Sequence, residues 1–142
     1  MPHITLVYNF RLKRNVKEWD IAKIIQNVAS KYSVVKFHYN GFEVKKGNKG
    51  YVLAFKIKPS YELKKLRKEI YDTLKPFIEE RLDVMNFNNV NENEFWFHAT
   101  IGYRLSEKEC NFLRNTMQSF KYAYFPAFAF RISLLNKGKN SI

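Results

Sequence analysis

The stretch HITLVYNF, residues 3–10, is matched in pattern by HATIGYRL, residues 98–105. Both segments carry His, Thr and Tyr in the same register, and an aliphatic residue follows each Thr. Apolar or aromatic residues alternate with polar ones over eight positions, which predicts that each segment is a β-strand. Because alternate residues of a strand point to the same side, each strand presents its His and its Thr together on one face.

The pairing of an imidazole with a hydroxyl suggests acid–base chemistry on a phosphodiester. Histidine can act as general acid or general base near neutral pH, because its ordinary pKa is about 6.5. A threonine hydroxyl two residues along can hydrogen-bond a phosphate oxygen. We therefore predict that His3 and His98 face one another across a cleft, with Thr5 and Thr100 holding the phosphate. Taken singly, each residue also has an ordinary reading, since threonine is a good strand former; the prediction depends on the repeat.

Composition bounds the class of protein. The 142 residues, 46% hydrophobic and 17% aromatic, predict one globular domain with a substantial core. A net charge of +12 favours a polyanionic partner, with nucleic acid ahead of an anionic membrane surface; a solvated lysine-rich surface is the alternative. The single Cys110 excludes an intrachain disulfide, and no signal peptide or membrane-length apolar run is visible. We expect a cytoplasmic protein with no membrane partner.

Hydrophobic periodicity and capping residues predict the order βαββα(loop)βαβ, an α+β domain of two similar halves. Between the motif strands we expect a helix capped by Asn15 and ending near Tyr32, strands at 34–44 (bulged near Gly41) and 51–58, a helix from Ser60 to Lys75, a short helical turn within 77–85, and a loop over 86–94. After the second motif strand, 95–104, we expect a helix from Ser106 to about Phe120 and a strand at 127–135.

One face of each of four predicted strands is large and apolar, and the other is small, polar or basic. Helices should cover the apolar faces, so that the other faces line a groove between two sheets. In the last strand this places Phe128, Phe130, Ile132 and Leu134 inward. The predicted groove walls therefore include Ala54, Lys56, Ala129 and Arg131.

Further candidates follow from strand parity. Arg104 shares the face of His98 and is a candidate phosphate contact, and Trp96 shares it as a candidate for stacking on a base. Tyr8 and Tyr103 should point away from the histidines and pack in the core. No Cys/His cluster or acidic pair has metal-ligand spacing, and no glycine-rich phosphate loop is present. We expect neither a metal nor a cofactor.

The two H-x-T motifs, 95 residues apart, resemble those of the two-histidine (2H) phosphoesterase superfamily, which includes the 2′-5′ RNA ligase-like RNA 2′,3′-cyclic phosphodiesterases. Pro2 before the first motif, and the strand 51–58 followed by Pro59-Ser60 and a helix, extend the resemblance over nearly the whole chain. The resemblance implies a bilobal, pseudo-twofold α+β fold, with two antiparallel sheets facing a central cleft and helices outside.

By motif, the resemblance makes His3 and His98 the acid/base pair and Thr5 and Thr100 the phosphate-binding hydroxyls. It implies metal-free hydrolysis of 2′,3′-cyclic phosphates at RNA ends or on nucleotides. A non-catalytic RNA-end binding module and 2′-5′ phosphodiester hydrolysis or ligation stay open as alternatives. Residues 1–142 should form one such domain without the family's usual first strand and helix. A homodimer in which a partner completes the shortened lobe is a further expectation.

Overall fold

The computed structural model describes residues 3–80, 82–119 and 123–135. The predicted helix end at Phe120 and the motif-preceding Pro2 lie outside these ranges. In chain order the elements are β1 (Phe10–Leu12), α1 (Glu18–Ala29), β2 (Val35–Gly47), β3 (Gly50–Pro59), α2 (Tyr61–Leu74), a 3₁₀ turn (Lys75–Phe77), β4 (Ile78–Glu80), α3 (Leu82–Asn88), β5 (His98–Leu105), α4 (Glu107–Gln118) and β6 (Tyr124–Ala129).

These elements form the predicted α+β fold with two antiparallel sheets. The larger sheet has the strand order β5-β3-β2-β6, and the smaller one pairs β1 with β4. The predicted bulge in β2 is confirmed, because the pairing with β3 shifts between Tyr39 and Phe42. Gly41 has a φ of +84° there, and a Cβ atom would come within 2.9 Å of the Tyr124 hydroxyl. The positive φ therefore favours glycine at the bulge.

Helices α2 and α4 begin where their capping residues predict. The Ser60 hydroxyl accepts a hydrogen bond from the Leu63 amide at 3.1 Å. Ser106 and Glu109 form a reciprocal capping box, in which the Ser106 amide donates to the Glu109 carboxylate at 2.8 Å. The predicted cap of α1 is wrong: Lys17 occupies that position, while Asn15 takes a left-handed φ of 71° in the preceding turn.

The core lies between α1, α2 and one face of the larger sheet. Buried hydrophobic side chains from both helices, the strands and the segment before β5 form one cluster. It contains Ile21, Val28, Val35, Phe37, Ile57, Leu63, Leu66, Ile70, Leu74, Ile78, Phe95 and Phe97. None of the described helices is both long enough and apolar enough to cross a membrane.

The last strand lies earlier than predicted, and with the opposite parity. β6 covers Tyr124–Ala129 and pairs with β2, so that Ala129 lies opposite Val35 and Ala127 opposite Phe37. Because Val35 and Phe37 face the core, the two alanines face it too. Phe128 is 57% exposed on the other side, so the predicted inward and groove faces of this strand are reversed. β6 is an edge strand, which explains how it accommodates a proline within the pairing.

Candidate active site

The two H-x-T segments lie side by side, joined by an antiparallel bridge between Ile4 and Ala99. Continuing this register by one residue in each direction places His3 opposite Thr100 and Thr5 opposite His98. All four side chains then share the face opposite to that of the bridging pair. In an antiparallel pair, diagonal neighbours such as the two histidines lie roughly 7–8 Å apart. A gap of this size can hold a phosphate between the two imidazoles.

His98 is buried and firmly oriented at the start of β5, with 7% of its surface exposed. Its Nδ1 lies 2.9 Å from the carbonyl oxygen of Trp96. Because a carbonyl oxygen only accepts, Nδ1 carries the proton and Nε2 keeps a free lone pair. Burial lowers the pKa of His98, and the nearby Lys45 and His3 side chains act in the same direction, whereas the Trp96 carbonyl and Glu43 oppose them. Near neutral pH the imidazole is therefore uncharged, with Nε2 available as a base.

Trp96 holds His98 in place by stacking directly on it. The two ring centroids are 3.6 Å apart and the planes differ by 12°. The Lys45 ammonium lies 4.0 Å from the indole centroid. The indole N–H donates to the Glu43 carboxylate. Trp96 therefore supports the imidazole, and it is also one of the residues that line the neighbouring cavity.

Tyr8 packs against the core as predicted, but its ring also lies near His98, which strict strand alternation did not predict. The chain bends at Leu6 and Val7, so the first motif is not one continuous strand and resumes pairing only at Phe10. The bend brings the Tyr8 ring within 6.5 Å of the His98 ring, with the planes 23° apart. Burial raises the pKa of Tyr8 to about 12, so its hydroxyl keeps its proton at neutral pH.

A mostly apolar cavity of about 360 Å³ opens beside the stacked His98 and Trp96 rings. Its walls come from the bend after the first motif, from α3 and its following loop, and from the β2–β3 hairpin. The main apolar contributors are Tyr8, Val52, Phe87, Val90 and Trp96. The volume falls in the range typical of small-ligand sites.

The N-terminal motif is tied to the rest of the molecule by buried polar groups. Arg67, 1% exposed, donates from Nε to the Leu6 carbonyl at 3.2 Å and pairs with Glu92 at 2.6 Å. Asn88, fully buried, accepts from the Tyr8 amide at 2.8 Å. Neither residue was among the sequence candidates. The available signal was the placement of Arg67 four residues after Leu63, within the apolar stripe of α2.

The remaining predicted site residues divide into one beside His98 and two elsewhere. Lys56 pairs in register with His98 and is exposed on the same face. Arg104 lies within the second of two register shifts in the β3–β5 pairing, so strand alternation no longer relates its face to that of His98; its guanidinium lies 5.6 Å from the Tyr103 ring. Arg131 lies beyond the end of β6 and so has no place in the strand that was to carry it to the groove.

Tyr103 is 66% exposed, so its predicted burial in the core is wrong. Within the described ranges, no group of three or more His, Cys, Asp or Glu side chains could hold a metal ion.

An α+β fold that sets two histidine–threonine segments on one face has the defining arrangement of a 2H-type phosphoesterase. The family model of the 2′-5′ RNA ligase superfamily matches residues 1–136, and the chain belongs to this superfamily. The match confirms the resemblance seen in the sequence. A comparison with curated proteins gave no match. Membership in the superfamily supports an activity of the phosphoesterase or ligase type.

Proposed function

We propose that the protein is a metal-independent phosphodiesterase that hydrolyses 2′,3′-cyclic phosphates of RNA ends or nucleotides by histidine acid–base catalysis. One observation supports this most strongly: the Ile4–Ala99 bridge sets His3 and Thr5 across from Thr100 and His98 on one face. Two imidazoles and two hydroxyls then surround one phosphate-sized gap.

His98 is the general base in this proposal. Its Nδ1 proton is committed to the Trp96 carbonyl and burial keeps the ring neutral, so Nε2 can accept a proton from the attacking water. His3 donates a proton to the departing ribose oxygen. One P–O bond forms to the water oxygen while one P–O bond to the ribose breaks, which leaves an open phosphate monoester. Whichever ribose oxygen faces His3 becomes the free hydroxyl.

The surrounding residues bind the substrate. Thr5 and Thr100 donate their hydroxyl protons to the non-bridging phosphate oxygens, which gain negative charge as water adds. Lys56, in register with His98, adds a positive charge nearby. The nucleobase enters the neighbouring cavity against Tyr8 and Phe87, whose aromatic rings suit a flat apolar ligand.

Turnover of a 2′,3′-cyclic nucleotide in excess chelator tests the proposal. Ring opening, monitored by phosphorus NMR, should proceed at the same rate with and without chelator. It should give a single monophosphate isomer. His98→Ala should abolish most of the turnover. His38→Ala is the matched control, because His38 is an exposed histidine of β2 outside the site.

The other outcomes separate the alternatives. Tight binding of a 3′-phosphorylated RNA without any ring opening would replace the enzyme with an RNA-end binding module. If the protein cleaves or forms a 2′-5′-linked dinucleotide faster than it opens the cyclic phosphate, its activity is 2′-5′ phosphodiester hydrolysis or ligation. Loss of activity on chelation alone would refute the metal-free mechanism.

A further inference from the structure

We infer that the open face of the larger sheet is a track for single-stranded RNA that runs from the candidate site to the edge strand β6. The inference rests on the proposed function for one point only, that the terminal phosphate lies at His98. The track consists of Lys56, Lys58, Lys36 and Phe128, in that order.

Strand register places these four side chains in a diagonal line. Lys56 lies opposite His98, and Lys58 follows two residues later on the same face of β3. Lys58 pairs with His38 of β2, which lies two residues after Lys36 on the same face, and Lys36 pairs with Phe128. Successive members therefore lie roughly 5–8 Å apart, as direct, same-strand or diagonal neighbours do. From His98 to Phe128 the line crosses three strand spacings and about four residues of rise, which amounts to roughly 20 Å.

The charge of this face suits a polyanion. The three lysines are exposed, and none of them takes part in an ion pair among the described residues. Glu43 is the only acidic residue in the four strands, and its carboxylate is engaged by the Trp96 indole. An RNA backbone laid along the diagonal would meet three lysine charges and no free carboxylate from these four strands.

The occupant is a single strand because of what lies at the two ends of the line. His98 is 7% exposed in a recess, so the reacting phosphate must belong to a chain end that can enter it. Phe128 is 57% exposed and offers a flat ring at the far end. Bases can stack on an exposed aromatic side chain of a sheet only when they are unpaired. A duplex would reach neither end.

Salt-dependent binding of an RNA of about 8 nucleotides, within known single-strand site sizes, tests the track. The RNA carries a 3′-phosphate, which needs no turnover, and affinity is read from fluorescence anisotropy. In Lys36→Gln/Lys58→Gln the slope of log affinity against log salt should fall by about 1.4, at about 0.7 per lost phosphate contact. Lys65→Gln/Lys108→Gln, which removes the same charge from exposed positions on α2 and α4, should keep the wild-type slope.

The contribution of Phe128 at the far end of the track is tested by a second pair of variants. Phe128→Ala should weaken binding about 5- to 150-fold, the range for one lost base stack. Phe112→Ala removes a similarly exposed ring (69%) from α4 and should leave the affinity unchanged. In turnover, Lys36→Gln/Lys58→Gln should lower kcat/KM for a cyclic-phosphate-ended RNA more than for the cyclic mononucleotide.

The track is overturned if the two double-lysine variants share one affinity and one salt slope. Equal losses on double-stranded RNA, or on vesicles of anionic lipid, would also overturn it and assign the lysines to a nonspecific polyanion surface. A protein that binds RNA along the track but opens no cyclic phosphate would refute only the proposed function. A protein that opens cyclic mononucleotides, but whose two double-lysine variants bind RNA with the same affinity and salt slope, would refute only the track.

Discussion

Replacement of Arg67 by methionine should destabilise the protein by about 3–5 kcal/mol, the usual effect of removing one partner from a buried ion pair. The guanidinium is 1% exposed, pairs with Glu92, donates to the Leu6 carbonyl and lies 4.1 Å from the Phe95 ring. Methionine keeps much of the apolar stem but leaves the Glu92 carboxylate and the Leu6 and Asn88 carbonyl oxygens without their donor. For a chain of this size, that loss lowers Tm by roughly 10–15 °C.

Urea denaturation measures the change as a lower midpoint with an unaltered m-value. Lys68→Met is the control, because it breaks an exposed pair with Asp72 that should contribute no more than about 0.5 kcal/mol. Adding Glu92→Met to Arg67→Met should restore part of the loss, since no buried carboxylate is then left unpaired. If Arg67→Met is as stable as Lys68→Met, the described anchoring of the N-terminal motif is wrong.

Two further predictions concern the site itself. Because His98 must be neutral to act as a base and its pKa is lowered, kcat/KM for a cyclic nucleotide should fall with acid only below about pH 6.5. Lys45→Gln removes a positive charge that lowers the pKa of His98, so it should move the acid limb of the pH profile to higher pH. Glu43→Gln removes a negative charge that raises this pKa, so it should move the acid limb to lower pH. If the acid limb stays in place in both variants, the assignment of His98 as the base is contradicted. Thr5→Ala and Thr100→Ala should each lower kcat/KM about 12- to 150-fold, the value of one hydrogen bond to a charged group, and a loss as large as the upper end expected for His98→Ala would give the hydroxyls a larger role.

The parts of the fold that local patterns predicted are those where one interaction dominates. The Ser60 and Ser106 caps predicted the starts of α2 and α4, because a side-chain acceptor at that position satisfies free amides of the first turn. The bulge at Gly41 was also visible, since glycine inside a strand pattern marks a break in pairing. The histidine–threonine repeat pointed to the candidate site before any contact was known.

The errors come from treating strands as strictly alternating. A bend at Leu6 and Val7 turns Tyr8 toward His98, and the register shifts after Thr100 interrupt the alternation from which the face of Arg104 was predicted. Bends and bulges of this kind are set by tertiary packing and leave little trace in a single sequence. The role of Arg67 was hidden for the same reason, because its partners lie 21 to 61 residues away along the chain.

The measurement that tests the central claim most directly is a double-mutant cycle on His3 and His98, read as turnover of a 2′,3′-cyclic nucleotide in excess chelator. Each alanine substitution removes one end of the proton path, so each should lower kcat by about 10²–10⁴-fold. Because the two imidazoles act as one unit, the double variant should be little slower than the slower single variant. Full activity in His98→Ala, or single losses that multiply in the double variant, would contradict the account.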